Sequence, residues 1–349
     1  MIFTVELDDR EYDVVVEDGA RRHLADVIAQ RAPRAGAAAV VTTMSLATHV
    51  WSEIDTGLGQ DTLFVPEGEM AKTFSALEDL LDAFAALRLS RDDVVVAIGG
   101  GSVTDLVGFA AAVYLRGVAV VQIPTSLVGQ VDAAIGGKTG INLRAGKNLV
   151  GSFHQPLGVL CDTGVLESLP ERERRSGLGE VAKCWILESR DVVSLHRASL
   201  RELVEVSVGL KVAIVSDDER EGGRRVLLNY GHTLAHALEK IALDRSADEL
   251  RHGEAVAIGL AFAARLARAL NRVNDEAVEY HDEVLRTLEL DGRLSPDYGT
   301  DEILDAMTLD KKARHDLSFV LDGPNGFSLV GGLDRAFVGN VLDRFKGES

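Results

Sequence analysis

Residues 92–126 read DDVVVAIGGGSVTDLVGFAAAVYLRGVAVVQIPTS. An apolar run at 94–98 ends in three glycines, Gly99, Gly100 and Gly101. A helical pattern follows (SVTDLVGFAAAVYL), then a second apolar run (VAVVQIPTS). Short apolar runs bounded by glycine and lacking polar alternation fit strands buried on both faces. Upstream, AAAVVTT at 37–43 reads as another such strand, and TFSALEDLLDAFAALRL at 73–89 as an amphipathic helix. Strand–helix alternation of this kind predicts a parallel sheet covered by helices. The N-terminus, MIFTVELDDREYDVVVEDGA, alternates like a strand.

After about residue 168 the pattern changes. Segments 171–188, 199–216, 231–243, 252–270 and 275–288 read as helices, and β-type runs nearly vanish. The expected fold class is α/β, with an N-terminal parallel-sheet domain at 1–168 and an all-helical domain at 169–349. The boundary falls in LESLPERE, where Pro170 opens the helical half.

The chain has 349 residues, with 37 Lys+Arg against 55 Asp+Glu and a formal charge of −18. That balance argues against a general nucleic-acid binder and against a basic membrane-surface protein. Cys161 and Cys184 are too few for a disulfide scaffold or a multi-Cys zinc site. The first residues lack the basic start and apolar stretch of a signal peptide. The longest apolar stretch, AVAIGLAFAARLARAL at 255–270, is broken by Arg265 and too short to span a membrane. A cytoplasmic protein is expected. Only nine lysines stand against 28 arginines, so a position that keeps Lys is one where a compact, pKa-adjustable ammonium can matter.

Five constellations carry chemistry. Gly99–Gly101 at a strand end before a helix suits either a phosphate cradle or a tight structural turn. Thr104 occupies the place of the third glycine of the dinucleotide fingerprint, so the strict motif fails. VDAAIGGKTGINLRAGKN at 131–148 sets Asp132, Lys138, Lys147 and Asn148 among glycines. That composition suits an oxyanion-rich ligand or a flexible surface loop, and the Walker spacing is absent. GHTLAH places His232 and His236 at i and i+4, a spacing for two metal ligands. Thr233 stands where a zincin would need Glu. RHGEAVAIGL adds His252, and GLGEVAK adds Glu180 and Lys183, so one carboxylate and two or three imidazoles can form a zinc set with an open position. LKVAIVSDDEREGGRRVLLN carries Lys211, Glu221, Arg225 and Asn229, read as a solvated charged face or as part of that site. LDKKARHD contributes Lys311 and Lys312, the weakest signal.

Together GGGSVTDLVGFAAAVYLRG, IPTSLVGQVDAAIGGKTGIN, GKNLVGSFHQP, LPERE, GLGEVAK, LLNYGHTLAHALE, HGEAVAIG and LDKK resemble the 3-dehydroquinate synthase family of sugar phosphate cyclases. The resemblance runs in order from about Glu67 to Lys312. It implies an N-terminal NAD-binding domain, a helical metal-binding domain, and Glu180, His232 and His252 as ligands of Zn2+ or Co2+. His236 would then face substrate as an acid/base group. NAD would contact Glu69, Lys72, Gly100, Gly101, Asp105, Thr125, Ser126, Lys147, Leu166 and Ser168. Lys138, Lys183, Lys211, Glu221 and His236 would be catalytic. Arg116, Asp132, Asn148, Arg225, Asn229, Lys311 and Lys312 would bind substrate, Arg116 reaching the neighbouring active site of a homodimer.

The implied reaction converts 3-deoxy-D-arabino-heptulosonate 7-phosphate to 3-dehydroquinate and phosphate, in the shikimate pathway. It runs by transient NAD-dependent oxidation, β-elimination of phosphate, re-reduction and aldol closure, which makes the enzyme a lyase that does not consume NAD. Thr43 departs from the Asp the family often carries for the adenosine ribose, Ser126 replaces a usual Thr, and LSFVL lacks a frequent Arg. GLGE and LLNYGHTLAHALE also look like aminodehydroquinate synthases. The alternatives are therefore an amino analogue or another sugar phosphate of secondary metabolism, and then an NAD- and metal-dependent polyol dehydrogenase or a non-enzymatic metabolite-binding protein.

Overall fold

A computed structural model describes residues 1–50, 54–144, 146–245, 250–309 and 317–348. Lys311 and Lys312 lie outside the described residues. The strands are β1 Ile2–Val5, β2 Tyr12–Glu17, β3 Ala37–Thr42, β4 Gly59–Phe64, β5 Val94–Gly99, β6 Ala119–Pro124, β7 Lys138–Leu143, β8 Gly146–Phe153, β9 Gly158–Asp162, β10 Leu317–Leu321 and β11 Ser328–Leu333. The helices are α1 Leu24–Arg31, α2 Met44–Val50, α3 Phe74–Ala86, α4 Gly101–Val113, α5 Glu171–Leu187, α6 Val192–Arg197, α7 Leu200–Asp217, α8 His232–Asp244, α9 His252–Ala269, α10 Asp275–Thr287, α11 Thr300–Leu309 and α12 Arg335–Gly347.

Two compact units form, Met1–Pro170 with Leu200–Arg220, and Glu171–Ser199 with Glu221–Ser349. This differs from a single cut after residue 168 in that Leu200–Arg220 groups with the first unit. The reason is packing: α7 lies against β1, β2 and the π-turn Gly129–Ala133.

The first unit is built on a sheet of order β1-β2-β9-β6-β5-β3-β4. Its neighbours are parallel except for the antiparallel β1–β2 pair. The run at 94–98 explains itself here. Val95 and Ala97 join a core cluster with residues of α3 and α4, while Val94, Val96 and Ile98 join another with Leu24 and Ile28 of α1. A strand covered on both faces needs apolar residues at every position. The glycine-rich segment at 131–148 is not simply a loop: β7 and β8 pair antiparallel and β7 packs on α4. Gly151 permits the close pairing, since a Cβ there would lie 2.0 Å from the Thr139 carbonyl oxygen.

The second unit is helical, with the short antiparallel pair β10–β11. Helix α9 is its hub, packing on α5, α8, α10, α12 and β10. Almost every residue from Gly253 to Ala267 is buried, which is why 255–270 is so apolar. Arg265, the interruption, is bonded bidentately to Asp282 at 2.9 and 3.0 Å, and its guanidinium lies over Phe345. Among the described residues no helix is long and apolar enough to cross a membrane.

Candidate metal and cofactor sites

In the second unit two glycine contacts set the geometry. A Cβ on Gly253 would sit 1.6 Å from the carbonyl oxygen of Ser176, and one on Gly179 would sit 2.2 Å from that of Gly253. Helices α5 and α9 therefore cross backbone to backbone. Likewise a Cβ on Gly259 would meet the Gly231 carbonyl at 2.0 Å, drawing the start of α8 onto α9; Gly231 itself caps α8 with φ +79°. Arg172 of α5 holds Glu254 of α9 bidentately, at 3.0 and 3.2 Å.

These contacts bring Glu180, His232 and His252 together, each offering one ligand atom within 4.8 Å of the others. Nε2 of His252 is 2.9 Å, and Nε2 of His232 is 3.3 Å, from Oε1 of Glu180. Both imidazoles engage Nδ1 elsewhere. His232 donates to the Tyr230 carbonyl at 3.0 Å, and His252 to Glu239 Oε2 at 3.3 Å. That arrangement turns both Nε2 atoms inward, where each neutral ring offers its lone pair as a ligand. Burial works against the charge of Glu180, but Lys183, His232 and His252 outweigh it and hold the carboxyl well below the usual range. Lys183 is itself buried and ion-paired to Glu180. Burial also opposes charge on His252, but its bonds to Glu180 and Glu239 raise it to about 10. A carboxylate and two imidazoles match the donor set of catalytic zinc sites, which leave the fourth position to water or substrate.

The i, i+4 reading of the histidines is corrected. His236 stands outside the three-residue group, exposed, its ring centroid 5.3 Å from that of His232. Residue 252, not 236, completes the set, because the close crossing of α5 and α9 brings Nε2 of His252 to 2.9 Å from Oε1 of Glu180. Nearby, Glu221 adopts a left-handed φ of +61° and accepts a 2.6 Å bond from Asn229; Arg225 is almost fully buried. Three residues that sequence reading left unassigned matter here. Glu239 backs His252. Tyr230 backs His232 through its carbonyl, and its hydroxyl meets Nε2 of buried His281 at 2.7 Å. Glu239 was findable as an acid seven residues past His232, on the same helical stripe. Tyr230 acts through its main chain and leaves no side-chain signal.

In the first unit Gly100 caps α4 at the end of β5. A Cβ on Gly99 would strike Val103 at 2.5 Å, one on Gly101 would lie 3.1 Å from Ala133, and one on Gly100 would lie 3.3 Å from Ser126 Oγ. Only glycine fits this close-packed turn at the positive end of a thirteen-residue helix, the kind of helix start that suits a phosphate group. Thr125 donates from its amide to the Gly99 carbonyl at 2.9 Å, and Ser126 Oγ accepts from the Gly129 amide at 3.1 Å. Buried Lys72 holds Asp105 at 2.5 Å and also bonds Asn148, whose φ is +57°. Burial pushes the Asp105 carboxyl up to about 6, although Lys72 pulls it down. Glu69 accepts from Asn142 at 2.6 Å and Ser102 at 3.2 Å. Lys211 of α7 pairs with Asp132 at 2.5 Å. Lys138 and Lys147 are exposed on β7 and β8. Leu166 and Ser168 lie in the turn Thr163–Ser168 after β9. Arg116 follows Leu115 in a left-handed pair, φ +67° and +49°.

With a nucleotide-type glycine turn on a parallel sheet and a Glu–His–His group in a helical unit, the chain shares the fold of the sugar phosphate cyclases. The chain is similar to the crystal structure of ValA, a 2-epi-5-epi-valiolone synthase from Streptomyces hygroscopicus subsp. jinggangensis 5008 with NAD+ and Zn2+ bound. The TM-score is 0.81 at 27% identity, over 97% of each chain. The chain belongs to the 3-dehydroquinate synthase family: residues 62–176 match the family's N-terminal domain and 177–313 its C-terminal domain. A 3-dehydroquinate synthase of Mycobacterium leprae (strain TN) is 40% identical over 331 residues, 90% of each chain. A protein of Amycolatopsis mediterranei (strain S699), provisionally named aminodehydroquinate synthase, is 48% identical over 347 residues, 99% of this chain and 95% of the relative.

Proposed function

We propose that the chain is an NAD- and divalent-metal-dependent 3-dehydroquinate synthase of the cytoplasm, taking 3-deoxy-D-arabino-heptulosonate 7-phosphate to 3-dehydroquinate and phosphate. The observation that carries this reading is the convergence of Glu180, His232 and His252 from three helices onto one metal-sized space. The first unit is the NAD-binding one, with the glycine turn on the pyrophosphate and Glu69, Lys72, Asp105, Thr125, Ser126, Lys147, Leu166 and Ser168 around the cofactor. The second holds the metal. When bound, NAD supplies a reversible hydride acceptor and the metal a Lewis acid for the hydroxyl being oxidised.

The chain's own residues do the rest. Lys138 and Lys211 of the first unit, and Lys183 and Arg225 of the second, give an acidic protein cationic groups for a phosphate and a carboxylate; Asp132 and Asn148 of the first and Asn229 of the second orient the substrate's hydroxyls. His236, exposed beside the metal ligands, moves the proton lost next to the new carbonyl as phosphate leaves. Glu221 accepts a second proton. Lys311 and Lys312 add to the anion contacts. Arg116 is held outward by its left-handed backbone beside exposed Val113 and Leu115, which supports a homodimer in which it reaches the neighbouring site. The test is phosphate release from the heptulosonate phosphate with zinc and NAD, at constant NADH. Net NADH formation from a polyol with no phosphate release would overturn it.

A second reading is favoured by one observation, the 48% identity to the Amycolatopsis protein. It makes the substrate the amino analogue, in secondary metabolism. Turnover of that analogue alone in the same assay decides for it.

A further inference from the structure

We propose that Glu239 is a positioning residue of the metal centre: its carboxylate accepts the Nδ1–H of His252, fixes that ring with Nε2 presented as a ligand, and so sets the strength of metal binding. The inference rests on the metal-centre reading above. Glu239 lies seven residues beyond His232 and three beyond His236 on α8, within roughly 60° of both around the helix at 3.6 residues per turn. Its side chain is only 7% exposed, and Oε2 is 3.3 Å from Nδ1 of His252. Its helical neighbours Ala235, Leu238 and Ala242 are buried apolar residues. A carboxylate in such surroundings is retained only against a specific partner. It stands behind the His252 ring, on the opposite nitrogen from the one facing Glu180, and so does not belong to the ligand set itself.

The two imidazoles are secured differently. His232 gives its Nδ1 proton to the main chain at Tyr230, an acceptor that no side-chain substitution removes. His252 depends on a side chain. An anionic acceptor also leaves its imidazole a better donor than a neutral carbonyl does, so His252 is the ligand whose strength a single residue controls.

The experiment measures Zn2+ dissociation constants of the full chain, stripped with chelator and titrated against a chromophoric competitor, together with the visible spectrum of the Co2+ form. Glu239→Gln keeps the shape and a neutral acceptor; Glu239→Leu removes the acceptor. Weakening of about tenfold for Gln and up to about a hundredfold for Leu, with a changed Co2+ spectrum, supports the proposal. Tyr230→Phe, which keeps the carbonyl and loses only the bond to His281, holds the wild-type zinc constant. An equal loss in Tyr230→Phe would reduce Glu239 to general packing and overturn the proposal. Zinc constants within twofold of wild type in the isosteric Gln variant, with His252→Ala losing zinc, overturn it and leave the metal centre standing. Zinc kept by His252→Ala overturns both.

Discussion

Gly253→Ala places a methyl group where the chain has no space for one. The new carbon would lie 1.6 Å from the carbonyl oxygen of Ser176, 2.5 Å from its carbonyl carbon and 3.0 Å from its Cα. All three are backbone atoms, so no rotamer change relieves the clash. Restoring an ordinary contact of 3.4 Å requires roughly 1.8 Å of separation (3.4 − 1.6) between α5 and α9. Overpacking of this kind costs about 1–3 kcal/mol, and contact of main chain with main chain belongs at the upper end. The helix gains back about 1 kcal/mol because alanine is the better helix former, leaving about 2 kcal/mol of net destabilisation. For a unit of this size that lowers Tm by roughly 4–8 °C. The larger effect falls on the metal centre. Glu180 follows Gly179 on α5, His252 precedes Gly253 on α9, and their ligand atoms are 2.9 Å apart. Metal–ligand distances tolerate only about 0.2 Å, far less than the displacement required. The assay is zinc stoichiometry after gel filtration, with thermal unfolding in the presence and absence of zinc. A variant that retains wild-type zinc and unfolds within about 1 °C of the parent would refute the claim that these glycines build the site.

His252→Ala should lose zinc, and stripping zinc from the parent should lower its Tm reversibly, by the equivalent of about 2.7 kcal/mol at a hundredfold excess over Kd; unchanged metal content in the variant removes His252 from the site. Lys138→Ala should lose about 1.5–3 kcal/mol in kcat/KM for the phosphorylated substrate, and an unchanged kcat/KM removes that lysine from the anion contacts. Asp105 gives a pH signature. Its folded carboxyl titrates near 6, above its unfolded value, so the folded state holds the proton more tightly. Its contribution to stability therefore falls as pH rises from about 4 to 6, by about 3 kcal/mol at most, and is level above. The stability difference between the parent and Asp105→Asn should change across that window in urea titrations; a flat difference from pH 4 to 7 contradicts the assignment.

Much of this was legible in the sequence. The helix expected at 171–188 is Glu171–Leu187, and that at 252–270 is His252–Ala269, because apolar periodicity and caps act locally. The run at 94–98 announced a strand covered on both faces. What spacing could not supply was partnership between distant segments. His232 and His236 share a helical face, yet His252 joins the cluster, because glycines at 179, 231, 253 and 259 decide which helices touch. Their role is invisible until the surfaces meet. The pairing of β7 with β8 was hidden by glycines that read locally as loop. Helix α7 was assigned to the second half because its own pattern records amphipathicity, not the sheet it covers.

Lys72, Lys183 and Lys211, all buried, are each matched at rest to an internal acid, Asp105, Glu180 and Asp132. Any incoming anion must compete with a tethered rival whose effective local concentration is at least millimolar. Chloride or sulfate, offering one weak contact, loses that contest. A guest displaces such a rival only by bringing more than one contact of its own, so each resting pair sets a threshold against simple anions.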